Sequence, residues 1–342
     1  MFSINDFNKW GINNFNKWID EGRPINKNII KLNISESNIK KLGDLENLIN
    51  LQILYCENNK LTSLEGIEKL IDLKYLYCNN NQIKSLEGIE NLNSLLFLEA
   101  LYCSKNQLTS LKGIENLVDL TILYCSKNQL KSLEGIENLN SLLFLKGLYC
   151  ENNQLTSLEC MKNLINLEEL YCSNNQLTSL EGLENLVNLQ TLYYANNQLK
   201  SLKGIENFNS IQSLEELYCY NNQLTSLEGI ENLINLKDLY CNNNFLTSLE
   251  GIENLINLKE LNCENNQLTS LEGIKSLVKL IKNNKQIKYN IKYTFIDFDD
   301  YIELNDLFDN LIVCDDNELN EYIENVEKMI KELNGFQKYV LK

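Results

Sequence analysis

The chain has 342 residues, with 47 acidic against 31 basic side chains for a net charge of −16, one arginine (Arg23) and no histidine. That balance argues against nucleic acid as a direct ligand, because a phosphate backbone calls for a cationic face and usually for arginine forks. No stretch approaches the roughly 18 apolar residues needed to span a bilayer, and the polar start Met1-Phe2-Ser3-Ile4-Asn5-Asp6 does not read as a secretory signal, so a soluble cytoplasmic protein with no membrane partner is expected.

Residues 1–28 are predicted to form an N-terminal helical cap. Phe7, Trp10, Phe15, Trp18 and Ile19 share one helical face ahead of the stop signals Gly22 and Pro24, and a repeat array needs its terminal core covered. The doubled FNKW (Phe7 to Trp10, Phe15 to Trp18) is read as part of that cap.

From residue 29 to 280 the sequence repeats. Aligned on the opening residue of Leu-x-x-Leu-x-Cys-x-x-Asn-x-Leu, copies begin at Ile29, Leu51, Leu73, Leu98, Leu120, Leu145, Leu167, Leu189, Leu214, Leu236 and Leu258, in steps of 22 or 25 residues. Such a period predicts an α/β solenoid, a horseshoe in which each turn adds one short strand to a concave parallel β-sheet. Within a strand, side chains alternate between faces, so Leu54 and Cys56 should point inward and Tyr55 outward. The rest of the unit, Thr62 to Leu70, has apolar residues at every third position. That spacing suits a short 3₁₀ or helical return on the convex side, with Gly66, Gly88 and Gly113 permitting a tight turn. Three steps of 25 residues carry their extra residues just before a strand, as in NLNSLLFLEALYC, and are predicted to bulge the back without shifting the strand register.

An asparagine column runs from Asn59 through Asn81, Asn106, Asn128, Asn153, Asn175, Asn197, Asn222 and Asn244 to Asn266, where the chain leaves each strand. A buried carboxamide there can bond open backbone groups of its own turn and the next. The column is structural in this reading.

The unit Leu227-Glu228-Gly229-Ile230-Glu231-Asn232-Leu233-Ile234-Asn235-Leu236 resembles the 22-residue class of leucine-rich repeats found in the eukaryotic phosphatase-1 regulatory subunit and in bacterial internalins. The Tyr-Cys-x-Asn-Asn-Gln-Leu-Thr-Ser-Leu version is similar to repeat proteins of mimivirus-like giant DNA viruses of amoebae, which would place the protein in a host cytoplasm. The resemblance covers roughly residues 29–280. It implies protein binding on the concave face and carries no catalytic residues or cofactor.

Nine of the eleven cysteines (Cys56, Cys78, Cys103, Cys125, Cys150, Cys172, Cys219, Cys241, Cys263) occupy one inward strand position, which Tyr194 fills once. Free cysteine behaves as a small buried hydrophobe, so the column reads as core. Disulfides compete poorly because Cβ vectors in a parallel in-register ladder run side by side. Zinc wants converging ligands, and this column is linear. Cys160 replaces a turn glycine in LECMKNL, and Cys314 lies in the C-terminal segment; both are expected to be more exposed.

The outward column reads Tyr55, Tyr77, Tyr102, Tyr124, Tyr149, Tyr171, Tyr193, Tyr218, Tyr240, then Asn262. Two residues earlier in each repeat a second lane changes from Ile53, Tyr75, Ala100, Ile122 and Gly147 to Glu169, Thr191, Glu216, Asp238 and Glu260. A third lane, two residues after the tyrosines, includes Glu57, Glu151, Tyr220 and Glu264. Stacked tyrosines can serve only to stabilise neighbouring turns. An aromatic strip beside carboxylates can also hold lysine- or arginine-bearing partners through cation–π and charge contacts. The candidate protein-binding residues are therefore Tyr171, Tyr193, Tyr218 and Tyr240 with Glu169, Glu216, Asp238 and Glu260, and the expected partner is a basic protein segment.

Residues 281–342 abandon the template. Leu304, Leu307, Phe308 and Leu311 suggest one helix, and Leu319, Tyr322, Ile323, Val326, Met329, Ile330 and Leu333 a second, giving a mostly helical C-terminal cap. Residues 295–342 hold 13 acidic and 4 basic side chains, more than half of the net charge. Without histidine, a phosphate loop or metal-ligand spacing, an enzyme is not expected. Cys314-Asp315-Asp316 superficially resembles the ubiquitin-transfer site of some bacterial leucine-rich-repeat effectors, whose catalytic domains are far longer than this segment. A self-associating structural protein is the remaining alternative, and the oligomeric state is left open.

Overall fold

The computed structural model of the chain describes residues 29–43, 45, 48–86, 89, 97–136, 144–202, 213–267, 280 and 287–290. Both predicted helical caps lie outside the described residues except at 287–290, as do Gly88, Cys314 and most of the predicted back bulges. The chain divides into two compact units, 1–198 and 199–342.

The first unit holds eight strands of three residues each: β1 (Lys31–Asn33), β2 (Ile53–Tyr55), β3 (Tyr75–Tyr77), β4 (Ala100–Tyr102), β5 (Ile122–Tyr124), β6 (Gly147–Tyr149), β7 (Glu169–Tyr171) and β8 (Thr191–Tyr193). Each pairs in parallel with the next, and the register joins equivalent repeat positions, as in Ile53↔Tyr75, Leu54↔Leu76 and Tyr55↔Tyr77. The 25-residue steps leave that register unchanged, with Tyr75 opposite Ala100 and Ile122 opposite Gly147. The second unit holds β9 (Glu216–Tyr218), β10 (Asp238–Tyr240), β11 (Glu260–Asn262) and β12 (Lys288–Asn290), again parallel and in register. Eleven strands fall where the repeat places them. The twelfth lies past residue 280, so the sheet outlasts the sequence template: Lys288 stands opposite Glu260 although no leucine pattern announces it.

Each turn is a strand, a tight exit and an apolar return. Leucines such as Leu54, Leu101 and Leu170 are fully buried at the strand centre, and Leu61, Leu64, Leu70 and Leu73 fill the rest of one coil. Burying each such side chain contributes ~1.5–3 kcal/mol, which must offset the entropy of ordering the turn. Short 3₁₀ turns at Glu159–Met161, Ile230–Asn232 and Ile252–Asn254 realise the predicted return. At Gly182 the return requires glycine: φ is +99°, and a Cβ would stand 2.2 Å from the Leu158 carbonyl oxygen of the preceding coil.

The asparagine column is buried as expected, but it reaches backward. Asn81 Nδ2 donates to Cys78 O of its own turn (3.1 Å) and to Cys56 O of the preceding turn (3.0 Å), while its Oδ1 accepts the Leu61 N–H of the preceding turn (3.0 Å). Asn153 repeats the pattern with Cys150 O, Cys125 O and Leu130 N–H. Each amide thus closes backbone groups that the three-residue strands leave open.

Candidate outward binding face

Alternation along the strand sorts the Tyr-Cys pair to opposite sides. The nine column cysteines are fully buried, and Tyr194, which replaces one, is buried with its hydroxyl donating to Ser179 O. The thiols of Cys56, Cys103 and Cys172 donate to the carbonyl oxygens of Tyr77, Tyr124 and Tyr193 on the following strand at 3.2–3.4 Å, which turns sulfur toward backbone. Burial pushes the Cys103 and Cys219 thiols up to about 12 and raises those of Cys78, Cys125, Cys150, Cys172 and Cys241 as well, so the reactive thiolate is disfavoured at these positions. Cys160 is half-buried, in line with its turn position.

The tyrosines form a stack. From Tyr55 through Tyr77, Tyr102, Tyr124, Tyr149 and Tyr171 to Tyr193, neighbouring ring centroids lie 3.9–4.9 Å apart with interplanar angles of 4–24°. In the second unit Tyr218 and Tyr240 stack at 4.8 Å. The spacing is that of the strands beneath, ~4.8 Å. Rings from Tyr77 to Tyr171 therefore have both faces covered by neighbours and offer edges and hydroxyls. Tyr171 lies inside the stack, between Tyr149 and Tyr193. A cation meets a face at the first ring, where Lys31 Nζ is 4.9 Å from the Tyr55 centroid. Ring edges carry the positive side of the quadrupole, so attraction for a cation passes to the carboxylates alongside.

Those carboxylates are tied to the stack. The Tyr149 hydroxyl donates to Glu169, Tyr75 to Glu99 (2.6 Å) and Tyr240 to Glu260 (2.6 Å). Tyr149 reaches over Gly147, where a Cβ would stand 3.0 Å from the ring Cε2. Burial, then the Glu169 carboxylate, holds the Tyr149 phenol well above its ordinary value, while burial among neighbouring rings pushes Tyr77 up to about 12.

Of the eight predicted binding residues, Glu169, Tyr171 and Tyr193 come together on β7 and β8 of the first unit. In the second, Glu216, Asp238 and Glu260 stand opposite one another on β9, β10 and β11 beside Tyr218 and Tyr240. Asp238 is raised by burial first and by Glu260 second, while Lys259 and Lys237 pull it down. Glu260 is lowered by the hydrogen bonds from Tyr240 and Lys288, the latter at 3.3 Å.

Three features escaped the sequence reading. Ion pairs join successive turns one residue before the strands: Lys74–Glu99 at 2.7 Å and Lys146–Glu168 at 2.8 Å in the first unit, and Lys237–Glu215 at 2.5 Å in the second. Ile49, Ile71, Ile165 and Val187, two residues before the opening leucine of their repeats, and Phe97 and Phe144, one residue before it, are exposed at the strand entries of the first unit. A polar recess opens where the chain leaves β2 to β5.

A family model described as "Leucine Rich repeats (2 copies)" matches residues 97–141, 144–185, 187–232, 212–254 and 234–276, together more than half of the chain. No curated protein matches. Among solved structures, an internalin from Listeria monocytogenes superposes with a TM-score of 0.68 at 22% identity, covering 80% of this chain and 84% of that one. A leucine-rich-repeat protein from Leptospira interrogans superposes at 0.70 with 29% identity, covering 82% and 70%. A chain of the octameric complex of Latrophilin 3, Unc5D and the FLRT2 leucine-rich-repeat domain superposes at 0.60 with 20% identity, covering 77% and 90%.

Proposed function

This chain belongs to the leucine-rich-repeat family, a fold typical of protein–protein interaction modules, and we propose that it is a non-enzymatic adaptor that holds a basic segment of another protein. The segment lies along the outward side of β9 to β11, against Glu216, Tyr218, Asp238, Tyr240 and Glu260 of the second unit, while Glu169, Tyr171 and Tyr193 of the first unit offer a contact surface of the same chemistry. The observation that carries this reading is the row of carboxylates on β9 to β11, with Asp238 raised first by burial and second by the Glu260 charge. Lysine or arginine would relieve that repulsion, and the phenol hydroxyls would orient the segment through hydrogen bonds. A cytoplasmic location belongs to the same proposal, since a column of buried free thiols suits a reducing compartment.

The test is titration of the full chain with a lysine- and arginine-rich peptide. Charge reversal in E216K/D238K should weaken binding by roughly tenfold or more and flatten its salt dependence. Unchanged affinity rejects the reading. The exposed apolar side chains at the strand entries, Ile49, Ile71, Phe97, Phe144, Ile165 and Val187, favour a second reading, self-association, which light scattering over a range of concentrations separates from a monomeric adaptor.

A further inference from the structure

The first unit carries a recess of about 310 Å³ where the chain leaves β2 to β5. Its floor is built by residues two positions after the ladder tyrosines, Glu57, Asn79 and Ser104, and its rim by the turn residues Asn58, Asn80 and Lys105. In that lane short side chains stand at Ser104, Ser126, Ser173 and Ala195 and larger ones at Glu57, Glu151, Tyr220 and Glu264.

Two observations at the rim point to a ligand. The first is conformational. Ten turns from Asn58 to Asn265 hold φ at 53–57°, and eight of them use asparagine, which tolerates the left-handed region better than other side chains with a Cβ. Lys105 and Lys127 break that preference on adjoining turns. Glu36 departs from it too, at the equivalent turn after β1, so what distinguishes Lys105 and Lys127 is that two cations stand on adjoining turns beside the recess.

The second observation is the arrangement of charge and hydrogen bonding. Glu57 and Lys105 close opposite ends of the recess, two strand spacings and one residue apart, which separates their backbone positions by roughly 10 Å. Asn79 Nδ2 donates to Glu57 (3.3 Å) and Asn79 Oδ1 accepts the Ser104 N–H (2.8 Å), so the floor is braced. Asn80 Nδ2 donates to Asn58 Oδ1 (2.5 Å), which leaves the Asn58 amide hydrogens and the Asn80 carbonyl oxygen with capacity for a ligand.

We propose that this recess binds a peptide segment of a partner protein in the polyproline II conformation, with a basic residue against Glu57 and an acidic residue three positions away against Lys105. A polyproline II chain rises ~3.1 Å per residue with three residues per turn, so residues three apart share one face and lie ~9 Å from each other, close to the separation of the two charges. The Asn58 and Asn80 carboxamides pair with backbone amides in between, and Lys127 adds a second cation beside the acidic residue. A glycan fits less well, because sugar rings are held on open aromatic faces and Tyr102 and Tyr124 are stacked at 4.8 Å within the ladder. The site is separate from the carboxylates of β7 to β11 and stands or falls without them.

Fluorescence anisotropy of the full chain with labelled, end-capped peptides tests the proposal. Lysine and glutamate spaced three apart, in at least one of the two orders, should bind better than Lys-x-x-Lys, Glu-x-x-Glu or the same charges on adjoining residues. In K105N/K127N, which restores the residue the turn prefers, affinity should fall roughly tenfold or more while thermal stability holds or rises. The swap E57K/K105E should reverse the preferred order of charges, and E216K/D238K should leave binding intact. Equal binding of all peptides, full affinity in K105N/K127N, or tighter binding of an oligosaccharide would overturn it.

Discussion

Strands β2 to β6 and strands β7 to β11 share an interior and differ outside. In both, the central leucine and the following inward residue, cysteine or once tyrosine, are buried. The outward lane reads Ile53, Tyr75, Ala100, Ile122 and Gly147 in the first set and Glu169, Thr191, Glu216, Asp238 and Glu260 in the second. Inward positions answer to packing, and every coil must solve the same packing problem. Outward positions are released from it, so a change of character there alters what the surface can meet and leaves the coil intact.

If the interior is shared, damage to it should cost the same in either set. Leu148→Ala and Leu239→Ala each empty a fully buried site and should lose ~2–5 kcal/mol in denaturant unfolding. Asn153→Ala and Asn244→Ala strand the backbone groups their amides serve and should lose ~1–3 kcal/mol apiece. A large difference between members of either pair would break the equivalence.

The smallest effect sharpens the exterior contrast. NMR titration should find the Asp238 carboxyl above its ordinary value and Glu260 below. The signs oppose. Asp238 contributes stability that is present below its unfolded pKa and lost as pH rises through its raised folded value. Glu260 contributes stability that is present above its unfolded pKa and lost as pH falls through its depressed folded value. Asp238→Asn should therefore be neutral or slightly stabilising at neutral pH, whereas Glu260→Gln should weaken the hold of Tyr240 and Lys288.

The leucine spacing alone located eleven strands and their register, because a three-residue strand is fixed by one buried leucine and the coil on either side. It missed β12, whose pairing with β11 is a backbone property that Lys288-Tyr289-Asn290 does not advertise. The burial of Asn81 was legible from its position, but not that its bonds run to the preceding coil. The tyrosine column was legible as outward. Its covered ring faces were implied by the same register, since side chains repeated at strand spacing stack on their neighbours. The recess left a weaker trace, the twice-repeated Ser-Lys-Asn at Ser104 and Ser126, which gains meaning only when the turn conformation is known.

The division of each Tyr-Cys pair between inside and outside underlies both proposed binding surfaces. Native-state labelling of one sample with a thiol reagent and a tyrosine reagent, mapped by mass spectrometry, tests it most directly. The account predicts that Cys160 is labelled, that the nine column cysteines and Tyr194 stay silent until the protein is unfolded, and that ladder tyrosines such as Tyr55 and Tyr102 are modified. Prompt labelling of the column thiols with a silent tyrosine ladder would contradict it.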